Sequence, residues 1–60
     1  MYTIINKKHE YLTRLSFTSG YSFIDSEAMA YVYEKLNQAE LVRNILTDYE
    51  GYTDLQIITI

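Results

Sequence analysis

The spacing of hydrophobic and polar positions changes twice along the chain. Tyr2-Thr3-Ile4-Ile5 is a β-branched and aromatic run, which predicts a strand. Asn6-Lys7-Lys8-His9-Glu10 is a polar break. From Tyr11 to Phe17 the pattern alternates, with Tyr11, Thr13, Leu15 and Phe17 on one face and Leu12, Arg14 and Ser16 on the other. Two such runs joined by about five residues predict a hairpin. Thr18-Ser19-Gly20 reads as a second turn, and Tyr21-Ser22-Phe23-Ile24 as a short third strand.

Beyond Asp25 and Ser26, either of which can cap a helix, the period lengthens. Ala28, Val32, Leu36, Ala39, Val42 and Leu46 recur at three- and four-residue steps and form one apolar stripe. No Gly or Pro interrupts it, so periodicity predicts a single helix over 26–47. Two features oppose that reading. Tyr31-Val32-Tyr33 has strand chemistry, and Asn37-Gln38-Ala39-Glu40 matches a capping box that would start a fresh helix. Thr47 to Asp54 reads as a polar loop around Gly51. Leu55-Gln56-Ile57-Ile58-Thr59-Ile60 is the plainest strand, with Leu55 and Ile57 on one face and Ile58 and Ile60 on the other. A strand apolar on both faces belongs inside a sheet or is covered on both sides.

These elements predict one α+β domain over residues 1–60. A small antiparallel sheet, made of the hairpin and the C-terminal strand, packs on one helical layer in ββαβ order. One helical layer covers one face of such a sheet. The other face is then expected to be wet or covered by a second copy.

Composition narrows the function. The chain has 60 residues and no cysteine, so disulfides are excluded, and His9 alone cannot make a structural zinc site. A domain this small has little core and gains from self-association, which makes a homodimer the expectation. No stretch reaches the length of a membrane span, and the first residues lack the basic lead of a signal peptide. The chain reads as a complete, soluble, cytoplasmic gene product without membrane association. Residues 1–24 carry a net charge of +2, and residues 25–60 carry −5. This is a poor footprint for direct nucleic-acid binding, which needs clustered Lys and Arg.

Seven tyrosines among sixty residues are more than so short a chain can bury. Tyrosine, with an apolar body and a polar tip, is enriched where proteins meet partners. Tyr2, Tyr11 and Tyr21 fall in strands. On a helix Tyr31 and Tyr33 would point about 200° apart, so one of them would face outward. Tyr49 and Tyr52 lie among the carboxylates of Asp48, Glu50 and Asp54. Tyr31, Tyr33, Asp48, Tyr49, Glu50, Tyr52 and Asp54 are therefore the expected partner-binding residues. The 48–54 segment fails the spacing of a calcium loop. His9 stands beside lysines in a turn, and no serine lies in a nucleophile-elbow context. No catalytic, cofactor or metal residues are expected, and no enzyme activity.

Tyr2-x-Ile4, Tyr11-Leu12, Tyr21-x-Phe23, Ala30-Tyr31-Val32-Tyr33 followed by Ala39-Glu40, and Leu55-x-Ile57 together resemble short proteins encoded by phages and mobile elements of Gram-positive bacteria. That resemblance implies a short helix closed by Ala30 to Tyr33, a bend, and a main helix starting near Lys35. It also implies a protein that binds and blocks a bacterial host protein of defence or DNA processing. Phage inhibitors of uracil-DNA glycosylase offer an analogy in size, acidity and element order, with no shared motif. Two alternatives stand beside this reading. One is an acidic nucleic-acid mimic that blocks a DNA-binding groove. The other is a structural protein that only self-associates.

Overall fold

A computed structural model describes the backbone of residues 1–16 and 20–60 and the side chains of 1–13 and 22–60. Four strands, β1 (Tyr2–Ile5), β2 (Tyr11–Ser16), β3 (Gly20–Ile24) and β4 (Gln56–Thr59), form one antiparallel sheet in the order β3-β2-β1-β4. A single turn of 3-10 helix spans Glu27–Met29, and one α-helix, α1, spans Leu36–Glu50. The fold is α+β, as the pattern predicts, with three strands before the helix and one after it.

The β1–β2 hairpin closes through Asn6. Its side-chain oxygen accepts from the N–H groups of Lys8 and Glu10, and its side-chain amide donates to the Glu10 carboxylate. This Asx geometry lets His9 take a positive φ of 61°. In β2 the register shifts between Leu12 and Arg14, so a bulge at Thr13 interrupts the expected alternation. The side chains on which the rest of that alternation rests, and the turn expected at Thr18 and Ser19, lie outside the described residues.

The single helix expected over 26–47 is corrected. Only Leu36–Glu50 is α-helical, and residues 30–35 are not. The cause is backbone pairing. Tyr2 and Tyr33 exchange two hydrogen bonds, of 2.9 and 2.7 Å, and the Tyr31 N–H donates to the Leu12 carbonyl at 2.8 Å. Residues 31–33 thus fill the gap where β1 and β2 diverge beyond the Ile5–Tyr11 pair. Continuing the helix would strand those main-chain groups inside the domain, at a cost no apolar periodicity offsets. Of the two-part reading, the start of the main helix near Lys35 holds, whereas the first part is a single 3-10 turn and Ala30 to Tyr33 run extended instead of closing a helix.

Helix α1 begins after an extended Lys35, whose N–H donates to the Gln38 side chain, half of a capping box. It ends at Gly51, which takes φ 75°, and the Gly51 and Tyr52 N–H groups both turn back to the Leu46 carbonyl. The expected Thr47–Asp54 loop is therefore also corrected: Thr47 to Glu50 form the last helical turn. Gly51 stops the helix three residues beyond the expected end at Thr47.

The sheet buries both faces unequally. Ile4, Leu12, Tyr33, Ala39 and Leu46 form the core between sheet and helix, flanked by Tyr2, Phe23, Val42, Tyr52, Leu55 and Ile57. Thr3, Ile5 and Tyr11 are buried outside that cluster, on the opposite face. The chain itself covers them. Thr3 donates its hydroxyl to the Tyr31 carbonyl at 2.7 Å, and the Tyr11 hydroxyl approaches Glu27. The crossing segment from Glu27 to Tyr31 does the work expected of solvent or a second copy. The strands inside the sheet are β1 and β2, and β4, expected to be internal or covered on both sides, is an edge strand.

Candidate functional site

The crossing segment emerges from the sheet beside the start of α1 and leaves an open groove of about 370 Å³ between them. Tyr31, Val32, Tyr33 and Glu34 line it from the segment before α1, and Gln38, Leu41 and Val42 from α1. In an extended segment residues two apart share a side, so Tyr31 and Tyr33 are neighbours. Their rings lie 5.0 Å apart, inclined at 49°. The expectation that a helix would point them apart is thus corrected, because the segment is extended. Tyr33 is 7% exposed and closes the floor, whereas Tyr31 is 44% exposed.

The Tyr33 hydroxyl is buried and has no hydrogen-bond partner among the described residues. Burial, reinforced by the neighbouring Tyr31, pushes it up to about 12. It is therefore a neutral phenol at any physiological pH.

The helical wall continues past the groove. Leu41, Ile45 and Tyr49 follow one another at four-residue steps along α1. Leu41 is 62% exposed and Tyr49 83%, values at which a large apolar side chain gains little from folding. Of these exposed residues Leu41 lines the groove with Tyr31 and Val32, and Tyr49 lies two turns further along α1.

The expected binding residues are divided by the fold. Tyr31 and Tyr33 line the groove, and Tyr49 is exposed on α1 outside its lining. Tyr52 is half-buried, its ring 5.3 Å from Phe23 and packed on the core. Asp48 and Glu50 are exposed on the last turn of α1, and Asp54 lies past Gly51 in a turn of positive φ. Two carboxylates at a helix C-terminus oppose the helix dipole, and no basic residue in that turn offsets them.

Val32 and Leu41 went unmarked in the sequence. Leu41 carried a signal: it sits far around the helix from Ala39, Val42 and Leu46, so it is an apolar residue off the core stripe. Val32 carried none, because it was counted in the stripe of a longer helix.

His9 is exposed at the tip of the β1–β2 turn, its ring edge-on to Tyr11 at 5.8 Å. Among the described residues there is no cluster of three His, Cys, Asp or Glu that could hold a metal ion, and no helix long and apolar enough to cross a membrane. No protein-family model matches the chain, and no curated protein or solved structure shows a significant match.

Proposed function

We propose that this is a non-enzymatic binding protein that acts by occupying the surface of another protein. The observation that carries the proposal is the groove lined by the exposed apolar side chains of Tyr31, Val32 and Leu41. A partner's apolar side chain fits between the Tyr31–Tyr33 pair and Leu41, where aromatic walls give large contact area at low entropic cost. Glu34 in the groove lining and the net charge of −5 over residues 25–60 favour a partner whose contact surface is basic around that side chain. Among the described residues Glu34 is the only carboxylate lining the groove, and neither His9 nor a serine borders it, an arrangement suited to contact and not to acid–base chemistry. In keeping with the phage and mobile-element resemblance, the partner is a bacterial host protein whose activity is blocked, met in the host cytoplasm. The protein acts as a homodimer.

The test compares capture from a bacterial lysate by the wild type, by Leu41→Glu, and by a triple variant neutralising Asp48, Glu50 and Asp54. Leu41 is exposed, so its variant keeps the fold. Loss of the same captured protein by at least about tenfold with Leu41→Glu supports the groove. Unchanged capture by Leu41→Glu, with loss in the triple variant and steep salt dependence, would instead support the nucleic-acid mimic.

A further inference from the structure

We infer that two copies of this chain join edge to edge through β4, making one continuous eight-stranded sheet. The inference rests on the homodimer reading above and assigns it a surface.

The first ground is the backbone of β4. Its register with β1 pairs Thr59 with Tyr2, Ile58 with Thr3, Ile57 with Ile4 and Gln56 with Ile5, and the Ile60 N–H donates to the Met1 carbonyl at 2.9 Å. Antiparallel pairs alternate between hydrogen-bonded and non-hydrogen-bonded. Ile60, Ile58 and Gln56 therefore turn their main-chain groups toward β1. Ile57 and Thr59 turn theirs outward, where no hydrogen bond engages them among the described residues. Groups at that spacing fit an extended chain and neither a helix nor a small ligand.

The second ground is what the edge lacks. Natural sheets blunt open edges with charge, proline or a bulge. Leu55 to Ile60 contains no charged residue, no proline and no glycine, and β4 pairs with β1 in unbroken register. The third ground decides the occupant. Leu55 to Ile60 carry no charged side chain, so the β4 edges of two copies of this acidic chain meet without opposing like-charged side chains. Antiparallel pairing of one edge with itself is isologous, so each copy satisfies the other.

Two-fold pairing of the outward groups sets Ile57 against Thr59 of the second copy, with the dyad at Ile58. The two Ile58 side chains then meet in a non-hydrogen-bonded pair, Cβ atoms about 4.5–5.5 Å apart. They lie on the face away from α1, beside the exposed Ile60 and Met1. Both helices fall on the other face, which leaves both grooves open.

Sedimentation equilibrium up to high-micromolar concentration tests this, with far-UV circular dichroism as the control for folding. The wild type is expected at twice the 7.1 kDa chain mass. Thr59→Pro removes an outward N–H while leaving the β1 ladder whole, and is expected to be a folded monomer. In this cysteine-free chain, Ile58→Cys is expected to oxidise to a covalent dimer, whereas Tyr49→Cys is not. A wild type that stays monomeric overturns both the dimer and the edge. A folded Thr59→Pro that remains dimeric, or an Ile58→Cys that fails to cross-link in a dimeric protein, overturns the edge alone.

Discussion

Strands β1 and β4 are near-equals in sequence and opposites in environment. Each has four residues, and each contains two isoleucines and a threonine. Yet Thr3, Ile4 and Ile5 are all buried, while no residue of β4 is fully buried. The difference comes from neighbours. β1 has β4 on one side, and β2 and Tyr33 on the other, with α1 above and the crossing segment below. β4 has β1 and an open edge. Strand-forming chemistry states that a segment will be extended; it does not state how many neighbours the segment will have.

The sharpest way to break the comparison is to truncate matched isoleucines. Ile4→Ala removes a fully buried side chain and is expected to cost about 3–4 kcal/mol, while Ile57→Ala, opposite it but half-buried, should cost roughly half as much. Urea unfolding of the two variants measures the ratio, and equal losses would show that β4 is as interior as β1.

The flank of β1 away from β4 depends on Tyr33. An unfolded tyrosine ionises near 10, whereas this one is held up to about 12, so the fold favours the neutral phenol. That contribution is complete below pH 10 and is lost as the pH climbs through 12. The loss is on the order of 2 kcal/mol. Tyr33→Phe is expected to remove this alkaline loss. Because the hydroxyl has no hydrogen-bond partner among the described residues, the variant should also be as stable as the wild type at pH 7, or more so. An unchanged alkaline transition would count against the assignment.

The smallest effect separates the two threonines. Thr3→Val loses the bond to the Tyr31 carbonyl and leaves that partly buried carbonyl without the Thr3 donor, at about 1–2 kcal/mol. Thr59→Val changes an exposed edge position and should stay within about 0.5 kcal/mol when measured on the monomer. Thermal unfolding of both variants gives the comparison, and a Thr59 effect as large as that of Thr3 would erase it.

Much of the fold was legible in local pattern. The β1–β2 hairpin, β3, the core stripe of α1 and the extended final segment all follow from residue spacing and turn chemistry. The break at residues 30–35 was only half legible. Ala28 and Val32 continue a helical stripe by accident of spacing, and Tyr31-Val32-Tyr33 signalled extension without showing what it would pair with. The candidate site was less legible still. Tyr31 and Tyr49 stand out by composition, but Tyr33 and Tyr52 share that composition and serve the core. Leu41 belongs to the groove only because the crossing segment runs beside it.

The sequence by itself determined which segments extend, where a helix can bury Ala39 and Leu46, and how the charge divides between the two halves. These follow from side-chain period and from residue chemistry, which act over a few positions. Only the tertiary structure decided that residues 31–33 enter the sheet, that β1 and not β4 is interior, and that Tyr31 and Tyr33 stand together at a groove. Those outcomes depend on where main-chain hydrogen-bonding groups from distant segments find partners, and that demand is set by the assembled sheet.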